Sequence, residues 1–586
     1  MGSLRVLSRR LLRTKNIPEG DLTTQLKRCL TTFDITMLGV GHMIGAGIYV
    51  LTGAVIKNTA GPSIVLSFFF AGLLLFAIDS LLFPKAGSAY TYAYVGCGEL
   101  WAFIIGWNIV LEHMLGAAAV SRSWSGYLNS ILGGRIKNFT METFGEIGHE
   151  GSIISAYPDF VAVLAICIIS FFIGAGSKAA TNFNTLFASA NLFVITLFVG
   201  YGSTFINFDN WKGMAKDGVH TRFLPYGVDG MLAGAASCFF AYIGFDGLAT
   251  AGEETKNPSK SIPHATFISM AIVSTAYILM SGTLSLMIPY EDVHPSAAFS
   301  EAFASVGVHW AAPLVATGAM CGITTSLVGA LFSLPRCVYA MADDGLIFGW
   351  WARVNKRTRT PINAVITFSS LTAIIALLMD VEVIVEFLSI GTLCAYSIVS
   401  ASLILLRYQP APVSPNEPHI MDNGGKPKFR ISGMAKIYDS MEPGYIINYA
   451  LFFMLISMTG FGVLLSSKFH STIPGTILIV IAGMGVVGST IFMDLHHQNS
   501  AKLSFKVFLV PYLPAASLLI NILMMTHLSV MTWIRLAVWM TIGLLIYLLY
   551  GLRHSKEEIA GAEKFTKSPT CNSVMVASTL SANLNQ

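Results

Sequence analysis

The chain has 586 residues, of which 54% are hydrophobic and 12% charged, and its net charge is +4. A soluble domain carries roughly 25% charged residues, so this composition cannot cover several water-facing domains but suits apolar helices joined by short loops. The small net charge, with no basic stripe, argues against a nucleic-acid partner. Eight cysteines without a CxxC pair make neither a disulfide framework nor a zinc site, and no metal is expected; they read as small buried apolar residues.

Residues 1–33 are polar and basic and read as a cytoplasmic tail rather than a signal peptide, because the first apolar run is too long for a signal core. A spanning helix needs about 20 mostly apolar residues. In chain order such segments fall at 35–56, 62–83, 100–120, 160–176, 183–206, 230–252, 265–289, 311–334, 362–379, 383–406, 445–466, 473–493, 506–528 and 531–552, spans 1 to 14. Hydrocarbon offers the backbone no hydrogen-bond partner, so each must be helical. The predicted fold is an all-α polytopic membrane protein: a ten-helix core over 34–406, a Pro- and Gly-rich cytoplasmic linker over 407–444, and four C-terminal helices over 445–552. The Ser-, Thr- and Asn-rich tail at 553–586 is expected to be disordered.

Basic residues set the orientation. The N-terminal tail carries Arg5, Arg9, Arg10, Arg13, Lys15, Lys27 and Arg28, whereas the segment 288–309 carries no Lys or Arg. With the N-terminus inside, an even number of spans returns the C-terminus to the cytoplasm. The sequon Asn138-Phe139-Thr140 follows three spans and so falls outside, where Asn138 is a candidate glycosylation site.

Span 1 holds Gly39, Gly41, Gly45 and Gly47 within nine residues, each costing about 1 kcal/mol against alanine in a helix. Span 6 reads Phe240-Ala241-Tyr242-Ile243-Gly244-Phe245-Asp246-Gly247. Two readings exist: close small-xxx-small packing, or unwound segments at the bilayer midplane that bind a ligand. Span 6 comes five spans after span 1, so a five-span repeat would be inverted, and paired interruptions in two inverted halves point to a transporter's binding site. Exposed N–H groups at one break and carbonyls at the other suit a zwitterion such as an α-amino acid.

The stretches Gly39 to Gly53, Ser237 to Pro258, Ser333 to Leu346 and Phe505 to Ser555 resemble the cationic amino acid transporters of the amino acid–polyamine–organocation superfamily, in the fourteen-span subgroup. The resemblance runs from about 25 to 555. It implies two inverted five-helix repeats of the leucine-transporter type, with alternating access around a central site. It implies that Met43, Gly45, Ala46 and Gly47 meet the substrate carboxylate, that Phe240, Ala241 and Ile243 meet the ammonium group, and that Phe245 is an aromatic gate. Asn191 stands where proton-linked relatives place a lysine, which implies facilitated exchange driven by the membrane potential. One departure stands out: the family's glutamate-containing segment before Pro-Lys-x-Gly-Ser-Ala-Tyr is replaced here by Phe76 to Phe83, with Asp79 as its acid.

Ionisable residues at membrane depth are costly and often functional. Glu112 in span 3 either binds a substrate's cationic side chain or makes an ion pair or hydrogen bond between helices. Asp246 is assigned a structural role at the span 6 break. His42 is read as a packing residue, though a histidine there could titrate. His113 is a further candidate. Glu386 is expected to be solvated near a span end; Glu253, Glu254 and Lys256 close span 6 on the inside and are expected to be solvated and to form gating or structural ion pairs. With no P-loop, HExxH or GxSxG sequence, neither a cofactor nor enzymatic activity is expected. The expected partners are a small amino acid and the bilayer, in the plasma membrane or a lysosome. A neutral amino acid carrier and a non-transporting amino acid sensor are the alternatives, the altered span 2 favouring the sensor slightly.

Overall fold

The computed structural model describes residues 13, 26–45, 47–82, 90, 93–94, 98–148, 153–214, 220–242, 244, 247–294, 298–409, 424–428, 444–467, 472–499 and 509–557. Among them nine helices are long and apolar enough to cross a membrane. Three shorter apolar helices, Phe160–Ala175, Ile362–Leu378 and Tyr512–Thr526, are spans 4, 9 and 13. Spans 1 and 6 are the two that break. The only strand-like pairings among the described residues are isolated bridges. The molecule is an all-α polytopic membrane protein.

The outward faces explain the composition. In span 12, Ile473–Asp494, the exposed residues Ile473, Ile477, Val480, Met484, Val487 and Ile491 recur at three- and four-residue steps along one side. An apolar stripe of that length is stable only against lipid. Cysteine is not uniformly interior: Cys238 and Cys337 are buried, but Cys167 on span 4 is exposed, correcting the expectation of burial.

Two spans outrun their apolar segments. Span 3 is the 33-residue helix Glu99–Ile131, and span 8 is Ala311–Asp343. At 1.5 Å per residue each is about 50 Å long, well beyond a hydrocarbon core of about 30 Å. Hydropathy cannot see the extra turns, because their polar side chains are covered by other elements.

Span 3 is the hub. It packs against span 8, span 10 (Val381–Tyr408) and span 9. Span 14, Val530–Ile546 continuing through Tyr547–Gly551, lies along it through stacked rings: Trp107 on Trp539 at 4.4 Å and Phe103 on Tyr547 at 4.8 Å. The two indoles exchange hydrogen bonds, Trp107 Nε1 donating to the Trp539 carbonyl at 3.0 Å and Trp539 Nε1 to the Trp107 carbonyl at 3.2 Å. A side chain at Gly543 would collide with Trp107, its Cβ only 2.4 Å from Nε1. At the end of span 3 the fully buried Glu99 accepts hydrogen bonds from the hydroxyls of Tyr94 (2.9 Å), Tyr547 (3.0 Å) and Ser555 (2.6 Å), with the Arg13 guanidinium at 3.9 Å.

The middle of the linker is docked. Gly425 N–H donates to His497 O at 2.8 Å, His497 N–H to Lys426 O at 2.7 Å, and Lys428 N–H to Leu495 O at 2.8 Å. Residues 410–423 and 429–443 of the linker, and the tail from 558, lie outside the described residues.

Candidate functional site

Span 1 starts with Thr31 capping the helix Thr32–Met43, and Asp34 completes a capping box. The helix ends where Ile44 leaves helical geometry at φ −79°, ψ 88°. A wider turn resumes at Gly47–Leu51. Span 6 is helical over Gly227–Phe240, turns through Ala241 and Tyr242, passes Gly244 at φ +110°, and resumes at Gly247–Thr250. That positive φ suits glycine, which lacks the Cβ that would clash. Both predicted interruptions are present.

The breaks lie against each other. A Cβ on Gly47 would sit 2.6 Å from Ala241 Cα, and one on Gly45 would sit 1.9 Å from Ser326 Oγ and 2.7 Å from the Gly322 carbonyl oxygen. The glycines therefore serve close packing and interruption together, and the two readings of the sequence merge.

Tyr277, on the span 7 helix Pro258–Met287, joins the breaks. Its hydroxyl lies 2.6 Å from Met43 O and 2.9 Å from Ala241 O. A phenol has one proton to donate, so it serves one carbonyl at a time. Asn191 on span 5 reaches the same turn: its Nδ2 donates to Ile44 O at 3.3 Å and its Oδ1 accepts from the Tyr49 hydroxyl at 2.6 Å. Span 8 contributes Ser326, whose hydroxyl donates to His42 O at 2.8 Å. Carbonyls freed by the break in span 1 are thus met by side chains of three other spans, as buried backbone groups require.

Of the predicted site residues, Met43, Gly45, Gly47, Ala241 and Asn191 come together here. Phe240 ends the first half of span 6. Ala46, Ile243, Phe245 and Asp246 lie outside the described residues, as does the side chain of Asp79. Glu112 is buried on span 3 next to His113, whose ring centroid is 6.1 Å from that of His42. Asn138 is exposed on the short helix Arg135–Phe144. Tyr277, Tyr49 and Ser326 carry no charge that would mark them at membrane depth in the sequence, yet freed carbonyls need only a hydroxyl or an amide.

At the end where the N-terminal tail enters, Glu254 forms the expected ion pair, but the expectation that it is solvated is overturned. It is fully buried, and Arg336 of span 8 pairs with it, Nη2 to Oε2 at 3.0 Å, while Ser177 Oγ donates to Oε1 at 2.7 Å. Two charges this deep persist only when paired and hydrogen-bonded. Cys29 and Leu30 both donate backbone N–H groups to Glu254 O, at 2.9 and 3.0 Å, so the tail seals this end. Burial, followed by the nearby Glu254 carboxylate, pushes the Cys29 thiol above its ordinary pKa. Glu386 is exposed as expected, yet it accepts from Ser529 (3.2 Å) and Thr532 (3.0 Å) and lies 3.7 Å from Arg535.

Two interrupted helices facing each other within a bundle of continuous ones define a membrane carrier with a central small-molecule site. The sequence profile of the amino acid permease family matches residues 30–487, and that of the permease C-terminus matches 505–555. The chain belongs to the amino acid permease family. It is 40% identical to human cationic amino acid transporter 4, over 95% of this chain and 92% of that one. It is 39% identical to the mouse protein of the same name, over 94% and 91%, and 33% identical to Arabidopsis thaliana cationic amino acid transporter 3, mitochondrial, over 95% and 96%.

Proposed function

We propose that this permease carries cationic L-amino acids such as arginine, lysine and ornithine by alternating access, as facilitated exchange driven by the membrane potential. The observation that carries the reading is the apposition of the two breaks at Gly47 and Ala241, with Tyr277 between their carbonyl ends. Around such a junction, the backbone around Met43, Gly45, Ala46 and Gly47 receives the substrate carboxylate. Carbonyls at Phe240, Ala241 and Ile243 receive the ammonium group, and Phe245 covers it. Glu112 receives the cationic side chain. Asp246 holds the break in shape.

The preference for cations is supported by the names of the relatives. The coupling mode is supported by Asn191, an amide where a proton-linked carrier would place a titrating amine; it is engaged with Tyr49 and Ile44. A cationic substrate then gains about 2.3 kcal/mol per charge for each 100 mV. The spans form two inverted repeats of five helices, with four further helices appended and both termini cytoplasmic. The plasma membrane is the proposed location; the Arabidopsis relatives include proteins named mitochondrial and vacuolar.

The test is uptake of labelled arginine into liposomes containing the purified chain, with and without an imposed voltage, and with neutral amino acids as competitors. Uptake that rises with an inside-negative potential and resists neutral competitors is expected. No uptake in either condition removes the transport reading; competition by leucine as strong as by lysine removes the cationic one.

A further inference from the structure

His42 and His113 stand on opposite sides of the interface that a carrier of this kind moves. His42 belongs to span 1, one of the two interrupted helices. His113 belongs to the continuous span 3. Their ring centroids are 6.1 Å apart with planes at 39°, and both residues are buried. The socket of His42 is made by glycines from two other spans. A Cβ on Gly244 would lie 2.7 Å from its Cδ2, one on Gly247 2.9 Å from its Nδ1, and one on Gly329 2.3 Å from its Cγ. The imidazole therefore fills a pocket shared by the broken span 6 and the continuous span 8. Relative movement of broken and continuous helices must take that pocket apart.

Among the described residues, other ionisable groups near span 1 have these settings. Span 7 presents Tyr277, held by the two carbonyls. Span 5, whose helix runs Ser177–Gly202, presents Asn184, donating to Met37 O at 2.8 Å, and Lys178, paired with Asp34 at 2.7 Å. Span 8 presents Arg336, paired with Glu254. The second half of span 6, Gly247–Thr250, carries no ionisable side chain, and Glu254 follows it. Span 3 adds Glu112 next to His113. The two imidazoles thus face each other between an interrupted and a continuous helix, as Arg336 and Glu254 do at the tail end.

We propose that the His42–His113 pair is a proton-binding site of the transport core, taking up one proton as the interface opens. The inference rests on the carrier reading above. In the closed arrangement both rings are enclosed, and a charged ring there would lack water. Opening hydrates them, and one ring takes the proton; both rings charged at 6.1 Å would repel, so uptake is one proton per pair. By linkage, acid shifts the population towards the open arrangement, because that state binds more protons. The site answers pH in the range where histidine titrates, and it is separate from the span 5 position where Asn191 stands.

The test needs no substrate, so its result is independent of the uptake experiment. Hydrogen exchange is followed in the full chain in lipid nanodiscs at pH 5.5 and 7.5, with times scaled for the intrinsic chemical rate. The segments read are 26–30 and 251–256, which seal the tail end. At pH 5.5 their protection should fall at least about fivefold in the native chain, the low end of a typical coupling. His113→Gln and His42→Gln should each abolish the difference, while Glu112→Gln should keep it. An unchanged native chain between the two pH values overturns the proposal without any variant. So does a His113→Gln protein that unfolds at the native temperature yet keeps the native pH response. Loss of the response in Glu112→Gln alone moves the proton to the carboxylate and also overturns it.

Discussion

Arg336 and Glu254 meet in a two-pronged pair, Nε to Oε2 and Nη2 to Oε1 each at 3.1 Å, at the tail end of spans 8 and 6. Such fork-to-fork geometry fixes orientation as well as charge. The same carboxylate side of span 6 holds Ser177 and, through its backbone, the N-terminal segment at Cys29 and Leu30. One pair therefore ties four segments at this closure.

Replacing Glu254 by Gln strands a buried guanidinium. Removing one partner of a buried pair costs about 3–5 kcal/mol, and that cost falls on the closed arrangement. We expect a lower unfolding temperature and faster hydrogen exchange at residues 26–30. Exchange at native rates in Glu254→Gln would show that the pair does not hold this end shut.

Tyr277→Phe keeps the ring, which packs against Phe68 at 5.1 Å and Tyr242 at 5.0 Å. It removes the hydroxyl shared by Met43 O and Ala241 O. A buried carbonyl left without its donor costs about 1–3 kcal/mol, and the loss sits at the junction of the breaks. Arginine uptake should drop about tenfold, equivalent to about 1.4 kcal/mol, while the folded yield stays close to native. Native uptake by this variant would remove Tyr277 from the working parts.

Trp539→Ala deletes half of the Trp107–Trp539 stack and uncovers one face of the Trp107 indole. Large-to-small changes of a fully buried indole cost about 3–5 kcal/mol, and the half-buried Trp539 should lose part of that. The expected result is loss of spans 11 to 14 as a protected unit in limited proteolysis, with Trp539→Phe recovering much of it. Equal protease resistance in all three proteins would mean the stack is incidental.

A pH effect is expected at the docked linker. Burial, with His497 and Lys428 close by, holds His496 below its ordinary pKa of 6.5. The folded state then binds fewer protons than the unfolded one below that value, so stability rises with pH and is lost as pH falls through about 6.5. Exchange protection at 424–428 and 495–497 should weaken from pH 7.5 to 5.5, and His496→Asn should flatten that response. A steeper response in His496→Asn would contradict the assignment.

The broken helices were legible because glycine acts locally: Gly45, Gly47 and Gly244 weaken a helix wherever they stand, and spacing then pairs the two sites. Hydropathy likewise marked the spans. What sequence could not supply is who covers a polar group. Glu254 looks like a solvated span end until Arg336, 82 residues later, is folded onto it. Span 8 looks complete at residue 334 until its extra turns find Ser177 and Glu254. Tyr277 reads as one more aromatic residue in a long apolar helix, since its role depends on two carbonyls from breaks 36 and 234 residues away. Pairings of this range leave no periodic trace along the chain.

The carboxylate of Glu99 has a consequence for synthesis. Two of its three hydroxyl partners, Tyr547 and Ser555, leave the ribosome after all fourteen spans have been translated. Until then span 3 carries an acid at its end with most of its final neighbours unmade. A chain cut short before residue 539 therefore leaves Glu99 with only Tyr94 and Arg13 as partners and bares the indole of Trp107, which makes the last helix a checkpoint that quality control in the membrane can read.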